Sequence, residues 1–225
     1  MKVAILLLSV LVFTNAMSLI KEESSILEGI DAVQFVIQTY ENGLDIIADQ
    51  TYSFEHNKMK VQYTTFNGDI VPAFDIIYDF TEGTAYQYFN LTGECNSIQG
   101  SKMNLTEYVE NLFKNHIEFA GRRGRNLMLY EVKHPEEEGS RTWVYGVYDN
   151  VDGEEVFVPT NFQSHHPVLN EDYAGKIIDT FSYPTLTEAD FDYPACKDAK
   201  EFKGELPSMS NTLGVRPGAF MKVAK

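Results

Sequence analysis

The stretch FDIIYDFTEGTAYQYFNLTGEC, Phe74 to Cys95, decides the fold. Phe74, Ile76, Tyr78 and Phe80 alternate with Asp75, Ile77 and Asp79, the period of two that turns one face of a strand inward and the other toward water. Thr81, Glu82, Gly83 and Thr84 make a Gly-containing turn. Ala85 to Leu91 then returns with Tyr86, Tyr88 and Phe89, so the pair reads as an antiparallel hairpin ending on a cysteine. At ~1.5–3 kcal/mol per large apolar side chain buried, its inward residues make it a plausible sheet centre.

Working outward, Leu44 to Phe54 and Lys58 to Thr65 face each other across the turn Glu55, His56, Asn57, Lys58. Asn67, Gly68 and Asp69 lead into the central hairpin, and this succession predicts an antiparallel meander. Ser25 to Tyr40 fits both periods: Ile26, Ile30, Val33 and Ile37 suit a helical face, while Val33, Phe35 and Ile37 alternate. A short helix or turn followed by a strand is expected there. From Asn104 to Phe119 the period changes, with Leu105, Tyr108, Val109, Leu112, Phe113 and Ile117 at helical spacing. Asn104 with Glu107 signs a capping box and Gly121 a stop, so an amphipathic helix packed on the sheet is expected. After a basic turn at Arg122 to Arg125, strands are expected at Leu127 to Lys133, Arg141 to Asp149, Glu154 to Phe162 and Gly175 to Tyr183. His165 and His166 open an irregular segment.

The N-terminus carries Lys2, an eleven-residue run from Val3 to Phe13 that is apolar but for Ser9, and the small or polar residues Thr14, Asn15 and Ala16. This pattern predicts a secretory signal over residues 1–16 and places the mature chain outside the cell or in the lumen of a secretory or lysosomal compartment. No later stretch is long enough for a transmembrane segment. Residues 17–202 are expected to form a single domain, and 203–225, without period, a flexible tail. With 33 acidic and 18 basic residues the formal charge is −15, which disfavours nucleic acid and anionic membrane surfaces as partners. Cys95 and Cys196, an even pair in an oxidising compartment, are expected to form a disulfide closing a loop worth ~4–5 kcal/mol in the chain-entropy model.

Residues that could carry chemistry are few. Asn90-Leu91-Thr92 and Asn104-Leu105-Thr106 are glycosylation sequons. Because the Asn104 side chain has to cap the helix, Asn90 is the preferred site. Asp149, Asp152 and Glu154 gather calcium-type oxygen ligands at one hairpin tip, although the EF-hand spacing fails. Adjacent His165 and His166 would point to opposite faces of a strand. No zinc-type cluster, phosphate loop, GxSxG or HExxH is present, so a non-enzymatic role is expected.

The segments TYSFEHNKMKVQYT, YDFTEGTAYQYFNLTGEC, RTWVYGVY and IIDTFSYPTLTEADFDYPAC resemble the ependymin-related secreted glycoproteins over most of Leu44 to Cys196. The resemblance implies an α+β, mostly β fold: a strongly curved antiparallel sheet, a half-barrel like that of bacterial lipoprotein carriers, with one or two helices on the concave side above an apolar cavity. It also implies an extracellular, glycosylated protein, calcium-associated and adhesive or lipid-binding. The family's additional cysteines are missing here. The closing segment also resembles the N-terminal accessory region of some papain-like proteinases.

Two functions are therefore expected. One is a binding module whose wall, drawn from Tyr63, Phe74, Ile76, Tyr78, Tyr86 and Tyr88, holds a lipid or fatty acyl chain. Its motive is an excess of aromatics, 15 Phe and 13 Tyr, which could equally fill an ordinary core. The other is an extracellular protein-interaction module, for matrix adhesion with calcium or for escort of a protease. The sequence leaves the oligomeric state open.

Overall fold

The computed structural model describes residues 29–41, 44–66, 70–99, 102–124, 126–133, 139–151, 154–166, 171–182, 184–197 and 199–201. The alternating stretch forms β4 (Ile70–Asp79) and β5 (Thr84–Phe89), which pair Phe74 with Phe89 and Tyr78 with Ala85. Gly83, at φ 68°, takes the left-handed conformation their turn requires. Before them run β1 (Ala32–Glu41), β2 (Leu44–Ser53) and β3 (Lys58–Phe66). After them come β6 (Cys95–Gln99), helix α1 (Leu105–His116), β7 (Ile117–Arg123), β8 (Leu127–Lys133), β9 (Arg141–Val151), β10 (Glu154–His166), β11 (Glu171–Ser182) and the short β12 (Lys200–Glu201).

Among the described residues the twelve strands make one sheet, ordered β12-β6-β5-β4-β3-β2-β1-β11-β10-β9-β8-β7. All pairs are antiparallel except β12 with β6. The result is a mostly β, α+β fold built on a large, curved open sheet, with one α-helix among the described residues. Curvature follows from chain length. β6 and β7 are ten strand spacings apart, ~48 Å on a flat sheet. The connection holds five residues and a twelve-residue helix, which together reach only ~38 Å. The sheet must bend toward the helix for the chain to close.

Helix α1 crosses the face bearing Phe74, Ile76, Tyr78 and Phe80, here called the inner face, and buries Leu105 and Val109 in the same apolar cluster. Its start is doubly held. Asn104 Oδ1 accepts from the Glu107 N–H at 3.1 Å, and the β2–β3 turn residue Asn57 accepts from the Leu105 N–H at 2.8 Å while donating to the Met103 carbonyl at 2.8 Å. Two of the four orphan helix donors are thereby satisfied. A second cluster on the same face, Tyr130, Val132, Val144 and Phe157, belongs to β8–β10. Among the described residues no helix is long and apolar enough to cross a membrane.

The structure departs from the sequence expectation at several places: β6 and β12 are strands that the sequence reading did not expect, and β11 starts at Glu171, before the expected Gly175. The helix ends at His116, not Phe119, because Ile117 and Phe119 pair with Val132 and Tyr130 as an edge strand. That strand absorbs Gly121, Arg122 and Arg123, which were read as a stop and a turn. His165 and His166 belong to β10, opposite Asp172 and Glu171. Residues 25–28, the expected signal and the expected tail lie outside the described residues.

Candidate functional site

The register of β1–β5 arranges the inner face as three rungs of five residues. They are Val33–Tyr52–Met59–Tyr78–Ala85, Phe35–Gln50–Val61–Ile76–Gln87 and Ile37–Ala48–Tyr63–Phe74–Phe89. No charged side chain stands on any rung. The opposite face of these strands carries Asp45, Asp49, Lys58, Lys60, Asp75 and Asp79, so over these three rungs the period of two keeps charge on the other side. Rings fill the inner wall: Tyr63 stacks on Phe74 with centroids 4.7 Å apart, and Phe35 on Tyr52 at 5.8 Å.

Polar groups stand inside this wall on every rung: the phenols of Tyr52, Tyr78 and Tyr63 on the first and third, and the amides of Gln50 and Gln87 on the middle one. Gln50 is fully buried and accepts the Tyr52 hydroxyl at 2.7 Å through Oε1. Burial, then the proximity of Tyr63 and Tyr78, pushes the Tyr52 phenol well above its ordinary pKa and keeps it a neutral donor. The Nε2 atoms of Gln50 and of Gln87, which is 6% exposed, have no hydrogen-bond partner in the structure, and neither has the Thr39 hydroxyl. An unsatisfied buried donor costs ~1–3 kcal/mol, and native folds rarely leave one without a reason.

The six residues expected to wall a cavity do not share a surface. Tyr63, Phe74, Ile76 and Tyr78 lie together on the inner face and are buried. Tyr86 and Tyr88 sit opposite Ile77 and Asp75, on the outer face, because two residues of odd offset cannot share a pleat.

On that outer face the segment 184–197 lies across β3–β5 as a strap. It contains two 3-10 turns, Glu188–Phe191 and Pro194–Cys196, and the Cys95–Cys196 disulfide holds its end with Cα atoms 5.1 Å apart. Phe191 is buried against His56, and Tyr193 packs on Tyr88 with centroids 5.1 Å apart, with the Lys60 ammonium 5.3 Å from its ring centre. The Tyr193 hydroxyl donates to Asp75, a carboxylate only 4% exposed that also accepts from Asn90 Nδ2 at 3.0 Å and Gln62 Nε2 at 3.3 Å. Lys58 joins Glu188 and lies 3.5 Å from Asp79. Burial works against its charge, but those two carboxylates outweigh it and raise the ammonium pKa. Beneath the strap is a cavity of about 490 Å³ lined by Ile77, Tyr86, Phe191 and Tyr193 and rimmed by Lys58, Asp79 and Asp192. A second, about 410 Å³, lies along β1, β10 and β11 near Gln38, Tyr145 and Lys176.

Among the described residues no group of three or more His, Cys, Asp or Glu is placed to hold a metal. Of the expected calcium ligands, Asp149 is exposed and accepts from the Asn150 N–H at 2.8 Å. Asp152 and the Glu154 side chain lie outside the described residues. Asn104 is exposed at the helix start, and Asn90 is half-buried beside Asp75. The sequence reading missed Gln50 and Gln87. Their signal was available: each interrupts an alternation, Ala48–Gln50–Tyr52 and Ala85–Gln87–Phe89, whose neighbours on the same face are apolar or aromatic.

No protein-family model matches the chain, and no curated protein matches it. Among solved structures, an uncharacterized conserved protein from Thermus thermophilus is similar, with a TM-score of 0.46 and 14% sequence identity, over 79% of this chain and 93% of that one.

Proposed function

We propose that this protein is a secreted, non-catalytic glycoprotein that binds an apolar molecule, a lipid or fatty acyl chain, against the inner face of its sheet. The observation that carries the reading is the middle rung. Its two amides, Gln50 and Gln87, stand among uncharged aliphatic and aromatic side chains, the make-up of a wall in which a few polar groups fix an apolar guest's orientation. The uncharged rungs suit an alkyl chain, and the bend over helix α1 supplies a roof. The ependymin-like motifs and the signal-like N-terminus support an extracellular place for it.

The test is native mass spectrometry of protein purified from its own host, paired with titration of the neutral fluorophore N-phenyl-1-naphthylamine. Co-purifying lipid, or saturable fluorescence that lipid displaces, is expected. Protein that carries no lipid and leaves the fluorophore dark would end the carrier reading.

A protein-interaction role draws on β7. Its only partner among the described strands is β8, and Phe119 is 54% exposed on it. An open strand edge is a template for another chain. Sedimentation of the wild type and of Phe119→Lys separates the readings, since an edge-mediated complex of this chain dissociates in the variant.

A further inference from the structure

We infer that the tip of the β7–β8 hairpin is a proteolytic processing site: a protease specific for paired basic residues cuts the Arg123–Gly124 bond and leaves a two-chain protein joined by its disulfide. The inference goes beyond the carrier reading and does not depend on it.

The first observation is chemical. Arg122 and Arg123 are the only two adjacent basic residues in a chain of 33 acidic and 18 basic ones. Both side chains are exposed, and among the described residues neither has an ion-pair partner. Their guanidiniums are therefore open to a second molecule. The acidic pockets of a dibasic-specific protease hold such groups by charge-assisted, bidentate hydrogen bonds.

The second observation is the form of the chain. A protease takes its substrate as an extended segment laid along its own strand edge. β7 is already extended, and among the described strands it pairs only with β8, which leaves its other edge open. Gly124, on the far side of the bond to be cut, is exposed, and a Cβ there would meet nothing within 4 Å. Its φ of 68° marks the turn, and glycine can leave that conformation for an extended one without steric cost. Protection of the edge against sheet pairing explains a charge here but not two neighbouring arginines, because Glu118 and the bulge between Phe119 and Gly121 already provide it.

The third observation is what the cut leaves. Water adds across the bond to give a carboxylate on Arg123 and an amine on Gly124, and no other reactant is needed. Cys95 precedes the cut and Cys196 follows it, so the disulfide still joins the halves. The pairings of β12 with β6, β1 with β11 and β7 with β8 also cross from one half to the other. The halves therefore stay one molecule.

The experiment treats the intact, oxidised protein with kexin, which cuts after paired basic residues, beside a synthetic peptide of residues 117–128. A single cut is expected, with a new N-terminus reading Gly124, Arg125, Asn126. In denaturing electrophoresis the product should run as one band without reductant and two with it. Arg123→Gln, a change at an exposed side chain, should slow the cut at least ~100-fold, since it leaves an acidic pocket without its cation. Protein purified from its own host is digested in parallel with endoproteinase Glu-C, which does not cut at arginine. Cleaved molecules yield the peptide 119–123 in place of 119–131. Native protein that stays whole under conditions that cut the peptide would overturn the inference, and so would host protein in which every molecule keeps the Arg123–Gly124 bond.

Discussion

At the scale of single residues, asparagine does more than its surface reputation suggests. Asn57 adopts φ 52°, a conformation asparagine tolerates better than most side chains, and its amide reaches both the Met103 carbonyl and the first helix N–H. The two sequon asparagines show why atoms, not residues, decide compatibility. Sequence logic set the capping role of Asn104 against glycosylation, but capping uses Oδ1, and a glycan attaches to Nδ2. Asn90 has the opposite problem. Its Nδ2 donates to Asp75, which is nearly sealed from water, so a sugar on that atom must leave the fold beside a buried carboxylate. Secreted protein should therefore carry glycan on Asn104 in a larger fraction of molecules than on Asn90. Enzymatic deglycosylation in ¹⁸O water followed by peptide mass spectrometry measures both sites, and higher occupancy at Asn90 would refute the argument.

At the scale of elements, what could be read from the sequence was what period alone determines. The alternation of Phe74 to Phe80 and the stripe of Leu105, Tyr108 and Val109 each have one physical solution, and the structure adopts it. The helix end was not legible, because Ile117 satisfies the stripe and a strand equally well, and only pairing with Val132 on β8 resolves it. The parity of Tyr86 and Tyr88 was legible but misread: counting back across the turn from Phe74 puts Phe89, not Tyr88, on the inner face. Nor could spacing reveal the contacts of Gly146 and Gly175. In each case a phenyl ring from β10 lies over the bare backbone, so a Cβ at Gly175 would sit 2.6 Å from the Phe162 ring, and one at Gly146 2.4 Å from the Val158 carbonyl oxygen and 2.5 Å from the Phe157 ring. Gly175→Ala is expected to destabilise the fold by ~1–3 kcal/mol in urea unfolding. In a Phe162→Leu background, where the ring is gone, the same change should cost clearly less. An additive double mutant would show that the ring is not what the glycine accommodates.

At the scale of the molecule, an open sheet this long leaves its outer face to water except where something covers it, and the strap covers β3–β5. Three kinds of attachment hold it: the Cys95–Cys196 bond, the buried ring of Phe191 with the half-buried ring of Tyr193, and the polar pairs Tyr193–Asp75 and Lys58–Glu188. The polar pairs give the attachment a pH window. Burial first, then the hydrogen bond to Asp75, raises the Tyr193 phenol above its ordinary value of 10.0, and the paired carboxylates raise Lys58 above 10.5. A group whose folded pKa is raised contributes stability that is whole below its unfolded pKa and declines as pH climbs toward the folded value. The strap should therefore be fully held at pH 7–9 and weaken above about pH 10. Tyr193→Phe keeps the ring against Tyr88 and removes only the donor, and at pH 7 it should cost ~1–2 kcal/mol, the lower part of the range for a hydrogen bond to a charged group because Tyr193 is half-exposed. Other buried phenols, Tyr52 among them, also lose stability in alkali, so the informative quantity is the difference between the two proteins. That gap in urea midpoint should be constant from pH 7 to 9 and narrow from pH 10 to 11, as the unfolded wild-type chain ionises Tyr193 and its advantage drains away. A gap that stays constant through pH 11 would mean that the hydroxyl does not hold the strap to Asp75.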